Sequence, residues 1–283
     1  MSSSSANDKV AVVTGSSTGI GYETSLILSR NGFLTYATMR NLNKSENIKS
    51  VATKENLPIQ IRQLDVTDEV SVTNAIQAIS SEAGRIDVLV NNAGYGLTGA
   101  FEDLSIDEIK AQYETNVFGL IRTTQAVLPI MRRQRSGTIV NISSGAGRFG
   151  FPSSSAYVST KFAVEGLSES MSYELEPFGI RVVIVEPGVI RTNFLDGVVV
   201  AKKSKDQNSP YSQMMQKVTT GFDEMMKNAS SPDVVAKVVL NAIRDKNPSL
   251  RYLAGSDVEK WLGGKRKVAD EELYKIMRQN LMT

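Results

Sequence analysis

Apolar positions along the chain follow two alternating patterns. Short, nearly continuous runs rich in β-branched residues occur at 10–14, 33–38, 59–64, 86–91, 138–142, 182–185 and 250–253. Such runs suit strands covered on both faces rather than one. Between them lie longer stretches of helical periodicity, near 20–30, 68–83, 105–131, 155–176 and 232–244. The last opens with Ser231 as a cap and Pro232 in the first turn. Repeated strand–helix–strand order predicts right-handed crossovers and one α/β domain with a doubly wound parallel sheet of about seven strands. Residues 1–8 read as a disordered leader, and 9–283 as the single domain. The least regular segment, 193–228, holds "KKSKDQNSP" and Met214, Met215, Met225 and Met226.

Composition mainly removes options. With no cysteine, the chain has no disulfide, thiolate nucleophile or zinc–sulfur site. With no histidine it has no Ser-His-Asp triad and no histidine metal site, so metal ligation is not expected. Proton chemistry near neutral pH must then use Tyr, Lys, Asp or Glu. A net charge of +2 gives no reason to expect nucleic acid. No apolar run approaches the ~18 residues needed to span a bilayer, and the start lacks a signal-peptide pattern. A cytoplasmic protein is the expectation.

Ligands in doubly wound sheets bind beyond the carboxyl ends of the strands, so motifs at strand exits matter most. "VAVVTGSSTGIGYETSLIL" runs from the first strand directly into a helix, with glycines at 15, 19 and 21. Glycine there permits positive φ and close backbone approach, and the helix N-terminus favours a phosphate. A tight strand–helix turn alone would explain the same glycines. The second strand ends "TYATMRN", where many dinucleotide folds place an acid on the ribose 2′-hydroxyl. Here Met39 and Arg40 stand instead, and an arginine accommodates a 2′-phosphate. That favours NADP(H) over NAD(H), unless Arg40 is only a solvated loop residue. Ser16 and Ser17 are further candidate donors to that phosphate.

"SAYVSTKFAVEGL" places Tyr157 and Lys161 one helical turn apart. Of nine tyrosines, only Tyr157 has a lysine four positions on, although two polar residues sharing a helix face would give the same spacing.

Taken in order, "TGSSTGIG" at 14–21, "LDVTD" at 64–68, "NNAG" at 91–94, "TN" at 115–116, "NISS" at 141–144, "YVSTK" at 157–161 and "EPGVIRT" at 186–192 resemble a classical short-chain dehydrogenase/reductase with a Rossmann-type fold. The resemblance covers residues 9–194 and is weakly closer to the hydroxysteroid and retinol dehydrogenase branch. It implies a catalytic tetrad of Asn116, Ser144, Tyr157 and Lys161. Ser144, not Ser143, has the family's spacing to Tyr157. Tyr157 would be the general acid or base, Ser144 would hold the substrate oxygen, Lys161 would bind the ribose and lower the Tyr157 pKa, and Asn116 would position a proton relay.

The same resemblance assigns cofactor contacts to Gly15, Ser16, Ser17, Gly19, Ile20, Gly21, Arg40, Asp65, Val66, Asn92, Ala93, Gly94, Tyr157, Lys161, Pro187, Gly188, Val189 and Thr192. Asp65 and Val66 would face the adenine, and Pro187, Gly188 and Thr192 the nicotinamide carboxamide. Asn91, Asp65 and the Pro-Gly pair would equally serve as strand-end and turn residues. The chain departs from the common pattern in carrying "EPG" where many members have "NPG" or "RPG". By resemblance, 193–228 is a mobile substrate lid and the helices near 105–131 and 155–176 form a homodimer or homotetramer. The implied function is an NADP(H)-dependent oxidoreductase acting on a small-molecule carbonyl or alcohol. A 3-oxoacyl-thioester reductase is the alternative on the same scaffold. A non-catalytic nucleotide-sensing protein is the alternative from another class.

Overall fold

The computed structural model describes residues 9–192 and 198–265, with 271, 272, 275 and 278. The expected leader, residues 193–197 of the expected lid, and most of the charged segment after 265 lie outside the described residues. The sheet strands are β1 (Lys9–Val13), β2 (Phe33–Met39), β3 (Ile59–Gln63), β4 (Val88–Asn91), β6 (Gly137–Ile142), β7 (Ile180–Pro187) and β9 (Arg251–Ala254). They form one seven-stranded sheet in the order β3-β2-β1-β4-β6-β7-β9, and every pair is parallel. Chain order reverses between β1 and β4, which makes that boundary the switch point where such sheets bind ligands.

The helices are α1 (Gly19–Arg30), α2 (Glu46–Glu55), α3 (Glu69–Ala83), α4 (Ile106–Tyr113), α5 (Gly119–Gln134), α6 (Ser155–Leu175), α7 (Ser212–Lys227), α8 (Pro232–Arg244) and α9 (Ser256–Lys265). Successive strand residues point to opposite faces. Val10 and Val12 of β1 therefore pack with Ile76 and Ile79 of α3 and Val127 and Met131 of α5. Ala11 and Val13 pack on the other face with Leu28 of α1 and Val235 and Val239 of α8. Both faces are buried, which is why the strands read as continuous apolar runs.

Three local features differ from the sequence expectation. The stretch near 105–131 is not one helix: α4 and α5 are joined by a π-helical segment, Glu114–Phe118, that carries Asn116. Wider π turns recur at functional sites because they re-aim a side chain out of the regular helical face. Segment 198–228 is more regular than its composition suggests. A short strand β8 (Val199–Val200) pairs with β5 (Leu97–Thr98), and α7 follows with an apolar face that includes Met214, Met215, Met225 and Met226, all half-buried. Finally, Ser231 precedes α8 but its hydroxyl bonds the Asp233 carboxylate rather than a backbone N–H. Among the described residues, no helix is long and apolar enough to cross a membrane.

Candidate active site

The site lies at the exits of β1, β4, β6 and β7. Ser144 leaves β6 and caps a short turn, its Oγ accepting from the Ala146 N–H at 3.1 Å. Tyr157 sits in the first turn of α6 and hydrogen-bonds Ser144 through their hydroxyls. One turn later Lys161 is buried, with Nζ donating to the Ile142 carbonyl at 2.9 Å and lying 5.6 Å from the centre of the Tyr157 ring. Asn116 joins this group from the π segment. Its Nδ2 donates to Tyr95 O at 2.9 Å and to Thr160 Oγ1 at 3.2 Å, while its Oδ1 accepts from Tyr95 N at 3.0 Å. Thr160 Oγ1 in turn donates to the Tyr157 carbonyl at 2.7 Å. Asn116, Ser144, Tyr157 and Lys161, expected from the family resemblance, thus meet in one place.

Burial governs the electrostatics. It pushes the Tyr157 phenol up to about 12, against a downward pull from the Ser144 hydrogen bond. It pushes the Lys161 ammonium down to about 8, opposed by the negative charge of Glu165. Desolvation disfavours the charged form of each group, so the two shifts have opposite sign. Lys161 was expected to depress Tyr157. In this structure desolvation outweighs any such pull, and the phenol is held neutral.

The glycine loop is shaped for close approach. Gly15 and Gly19 have φ of 68° and 61°. A Cβ on Gly21 would lie 2.4 Å from the Gly15 carbonyl oxygen, so α1 packs directly against the loop. Thr18, at the start of α1, makes no side-chain cap to the first turn. The β4 exit is stitched to this loop. Asn92 Nδ2 donates to Thr14 O and Gly15 O at 2.9 and 3.2 Å, and the N–H groups of Asn92 and Ala93 both donate to Thr14 Oγ1 at 3.0 Å. Gly94 packs closely beside Asn116, where a Cβ would stand 3.1 Å from Asn116 Oδ1. From the segment after β7, Thr192 reaches the loop at Gly19. Ile20 is half-buried against the α1–α8 core, and Ser17 is half-buried in the loop.

Ser16 departs from expectation. Its hydroxyl is fully buried, donates to Val13 O at 2.9 Å and accepts from Ser25 Oγ at 3.0 Å, so it is committed inward rather than to a phosphate. Arg40 stands exposed at the exit of β2. Asp65 follows β3 and uses Oδ1 to accept from Thr67 N and Oγ1 at 3.0 and 2.7 Å, beside buried Val66. Asn91 is no exposed turn residue: it is buried between Asn141, Thr123 and Thr124.

Several contributors carry no signal of their own in sequence. Asp257 of α9 accepts from Val189 N at 2.7 Å, and its carboxylate fills the space beside Gly188, where a Cβ would lie 2.2 Å from Oδ1. It therefore fixes the Pro187–Gly188–Val189 turn. Thr14 and Thr160 lie inside quoted motifs, but their partners Asn92 and Asn116 are 78 and 44 residues away.

A parallel sheet with a glycine loop at its switch point and a Ser–Tyr–Lys group at the next strand exits defines a nucleotide-binding oxidoreductase scaffold. The chain belongs to the short chain dehydrogenase family, whose pattern matches residues 9–203. It is 37% identical over 251 residues to a 3-ketodihydrosphingosine reductase of Bacteroides thetaiotaomicron, covering 89% of each chain. Its fold superposes on a short-chain dehydrogenase from Streptomyces avermitilis with a TM-score of 0.82 and 33% identity, over 95% of this chain and 96% of the other. ElxO with NADP bound is similar at a TM-score of 0.74 and 30% identity, over 89% and 99% of the respective chains. The protein is thus an oxidoreductase of this family, which uses a nicotinamide cofactor on alcohol and carbonyl groups. The residues present fit such a cofactor: glycines at positive φ let the loop pack closely on the start of α1, where Thr18 makes no side-chain cap, and a helix start of this kind suits a pyrophosphate.

Proposed function

We propose that the protein is an NADP(H)-dependent oxidoreductase that interconverts a carbonyl and an alcohol, with Tyr157 as its general acid or base. The observation that carries this reading is the hydrogen-bonded Ser144–Tyr157 pair with Lys161 against the ring. When bound, the nicotinamide supplies the hydride in reduction or receives it in oxidation. The Ser144 and Tyr157 hydroxyls hold the substrate oxygen, and the Tyr157 phenol gives it a proton. Lys161 holds a positive charge beside the phenol and anchors the ribose. Asn116 fixes the α6 turn between them through Thr160. Gly15, Ser17, Gly19, Ile20 and Gly21 cradle the phosphates, while Asp65, Val66, Asn92, Ala93 and Gly94 line the adenosine side. Pro187, Gly188, Val189 and Thr192 hold the carboxamide, set in place by Asp257.

A phenol held near 12 stays protonated at neutral pH, with very little phenolate present to act as a base, which is the protonation state that reduction needs. Reduction requires neutral Tyr157 and charged Lys161. Tyr157 keeps its proton to about 12, whereas Lys161 loses its own near about 8. Carbonyl reduction (kcat/KM) should therefore be flat below pH 8 and fall above it. A profile flat to pH 10 would detach Lys161 from the reaction.

Exposed Arg40, at the end of β2 where an acid would select NAD(H), supports the 2′-phosphate assignment. Arg40→Asp should shift the ratio of kcat/KM for NADPH over NADH by on the order of 10–100-fold towards NADH. An unchanged ratio would remove Arg40 from cofactor selection. The half-buried methionine face of α7 favours an apolar carbonyl compound, with the segment from β8 through α7 as the lid. Exposed Phe118 beside α5, and Phe162 and Tyr173 on α6, favour association of two or four copies through these helices. A ketone, aldehyde and acyl-thioester panel with both nucleotides tests the whole reading. Turnover of thioesters alone selects the acyl reductase, and tight NADPH binding with no turnover selects a sensor.

A further inference from the structure

Beyond Lys161, α6 packs on a buried group of charges that the proposed reaction does not use. Glu165, one turn past Lys161, and Glu186, the residue that makes the β7 exit "EPG", are 5% and 1% exposed. Arg251 of β9 donates from Nε to Glu165 Oε2 at 2.9 Å and from Nη2 to Glu169 Oε2 at 2.6 Å. Arg148, after the Ser144 turn, donates from Nη1 to Glu186 Oε1 at 2.8 Å, and Arg251 Nε lies 3.7 Å from the same oxygen. Three carboxylates thus face two guanidiniums.

One oxygen is left over. Among the described residues, Glu165 Oε1 is sealed from solvent with no donor, and a neighbour in hydrogen-bonding position to the Glu165 carboxyl is Glu186. Two ionised carboxylates are acceptors only and cannot bond one another. A proton on one of them turns the contact into a charge-assisted O–H···O bond and balances the two guanidiniums. Burial raises the Glu186 carboxyl above the usual range, and Glu165 adds to this against Arg148.

The pair also sits where it reaches the reacting groups. At Gly147, in the turn after Ser144, a Cβ would stand 2.9 Å from Glu165 Cγ, 3.1 Å from the Lys161 carbonyl and 2.8 Å from Ser143 Oγ. The Ser144 turn therefore lies directly on the helical turn between Lys161 and Glu165. Glu186 immediately precedes Pro187 and Gly188. We propose that Glu186 holds a proton at neutral pH and shares it in a hydrogen bond with the Glu165 carboxylate, the two acting as positioning residues that lock the lysine-bearing turn of α6 against the β7 exit while Glu165 supplies the negative charge beside Lys161. Lys161, Glu169, Arg148 and Arg251 are the charged groups that face the pair from α6, the post-β6 turn and β9. The effect on turnover rests on the role proposed above for Lys161; the shared proton does not.

Infrared spectroscopy of the ligand-free protein tests the proton without any variant. The C=O stretch of a protonated carboxylic acid should persist at pH 7, and should vanish in both Glu165→Gln and Glu186→Gln. In kinetics with NADPH, Glu165→Gln should move the alkaline limb of kcat/KM down by about one pH unit. Glu186→Gln, whose amide replaces the protonated acid as donor to Glu165, should keep the limb and the KM for NADPH, whereas Glu186→Ala should raise that KM. Absence of the band at pH 7 in the unaltered protein overturns the shared proton. A Glu165→Gln limb that coincides with the parent's overturns the positioning role. If the band behaves as stated and no carbonyl is reduced by any form, the assigned activity fails and the shared proton stands.

Discussion

Tyr157→Phe is expected to lower carbonyl reduction by about 10³-fold while the Kd for NADPH changes by no more than about threefold. The substitution removes one hydroxyl and little else. The ring stays in the first turn of α6, so its contact with Lys161 Nζ at 5.6 Å from the ring centre is kept. Ser144 Oγ retains the Ala146 N–H as a donor, so it is not left without a partner. Lys161 still donates to the Ile142 carbonyl. What is lost is the proton that the substrate oxygen must receive, in a chain with no histidine to substitute for it. Steady-state rates with NADPH, together with a fluorescence titration of the nucleotide, measure the two effects separately. Turnover near the parent rate would remove Tyr157 as the proton donor.

The second large effect is expected from Gly21→Ala, a single methyl group on α1. Its Cβ would lie 2.4 Å from both the Gly15 carbonyl oxygen and Asn92 Nδ2, and 2.9 Å from the Gly15 carbonyl carbon. The backbone there has little freedom to yield. Gly15 is in the left-handed region, Thr14 N donates to Val90 O at 3.0 Å, and Asn92 ties both Thr14 and Gly15 to the β4 exit. Relief requires α1 to move away from the loop, at a cost of about 1–3 kcal/mol for overpacking. The thermal midpoint should fall by about 2–5 °C. NADPH affinity should fall by about 100-fold, because the loop and the start of α1 are displaced from each other. Gly221→Ala on α7 is the matched control, since nothing lies within 4 Å of its would-be Cβ. It should leave the midpoint unchanged or raise it, as alanine is the better helix former. A Gly21→Ala protein with parental midpoint and affinity would show that the loop tolerates the methyl and that close packing there is not required.

The pattern of apolar runs predicts the seven strands of the main sheet and their parallel pairing, because a strand covered on both faces has a recognisable composition whatever its neighbours. It misses α2, where Ile48 is the buried residue of a mostly polar helix, so there is little periodicity to read. It also merges α4 and α5, since the five-residue π segment Glu114–Phe118 keeps an unbroken helical pattern while shifting which side chains face inward. Ser16 illustrates the same limit at one residue. Its place in a serine-rich loop suggests a phosphate donor, and only the packing of Ser25 and Val13 around it turns the hydroxyl inward.

Read alone, the chain of 283 residues determined the alternation of strands and helices, the glycines at the first strand exit, and the spacing of Asn116, Ser144, Tyr157 and Lys161. These are local properties, set by side-chain periods of two and about 3.6 residues and by the φ freedom of glycine. Tertiary structure alone decided that Asn116 grips Thr160 and Tyr95, that Asp257 holds the turn after β7, and that Glu165 meets Glu186 behind Lys161. It also decided the charge balance of the site, in which burial pushes Tyr157 up to about 12 and Lys161 down to about 8. Desolvation and hydrogen bonds across dozens of residues depend on which surfaces the fold closes together, and no spacing along the chain encodes them.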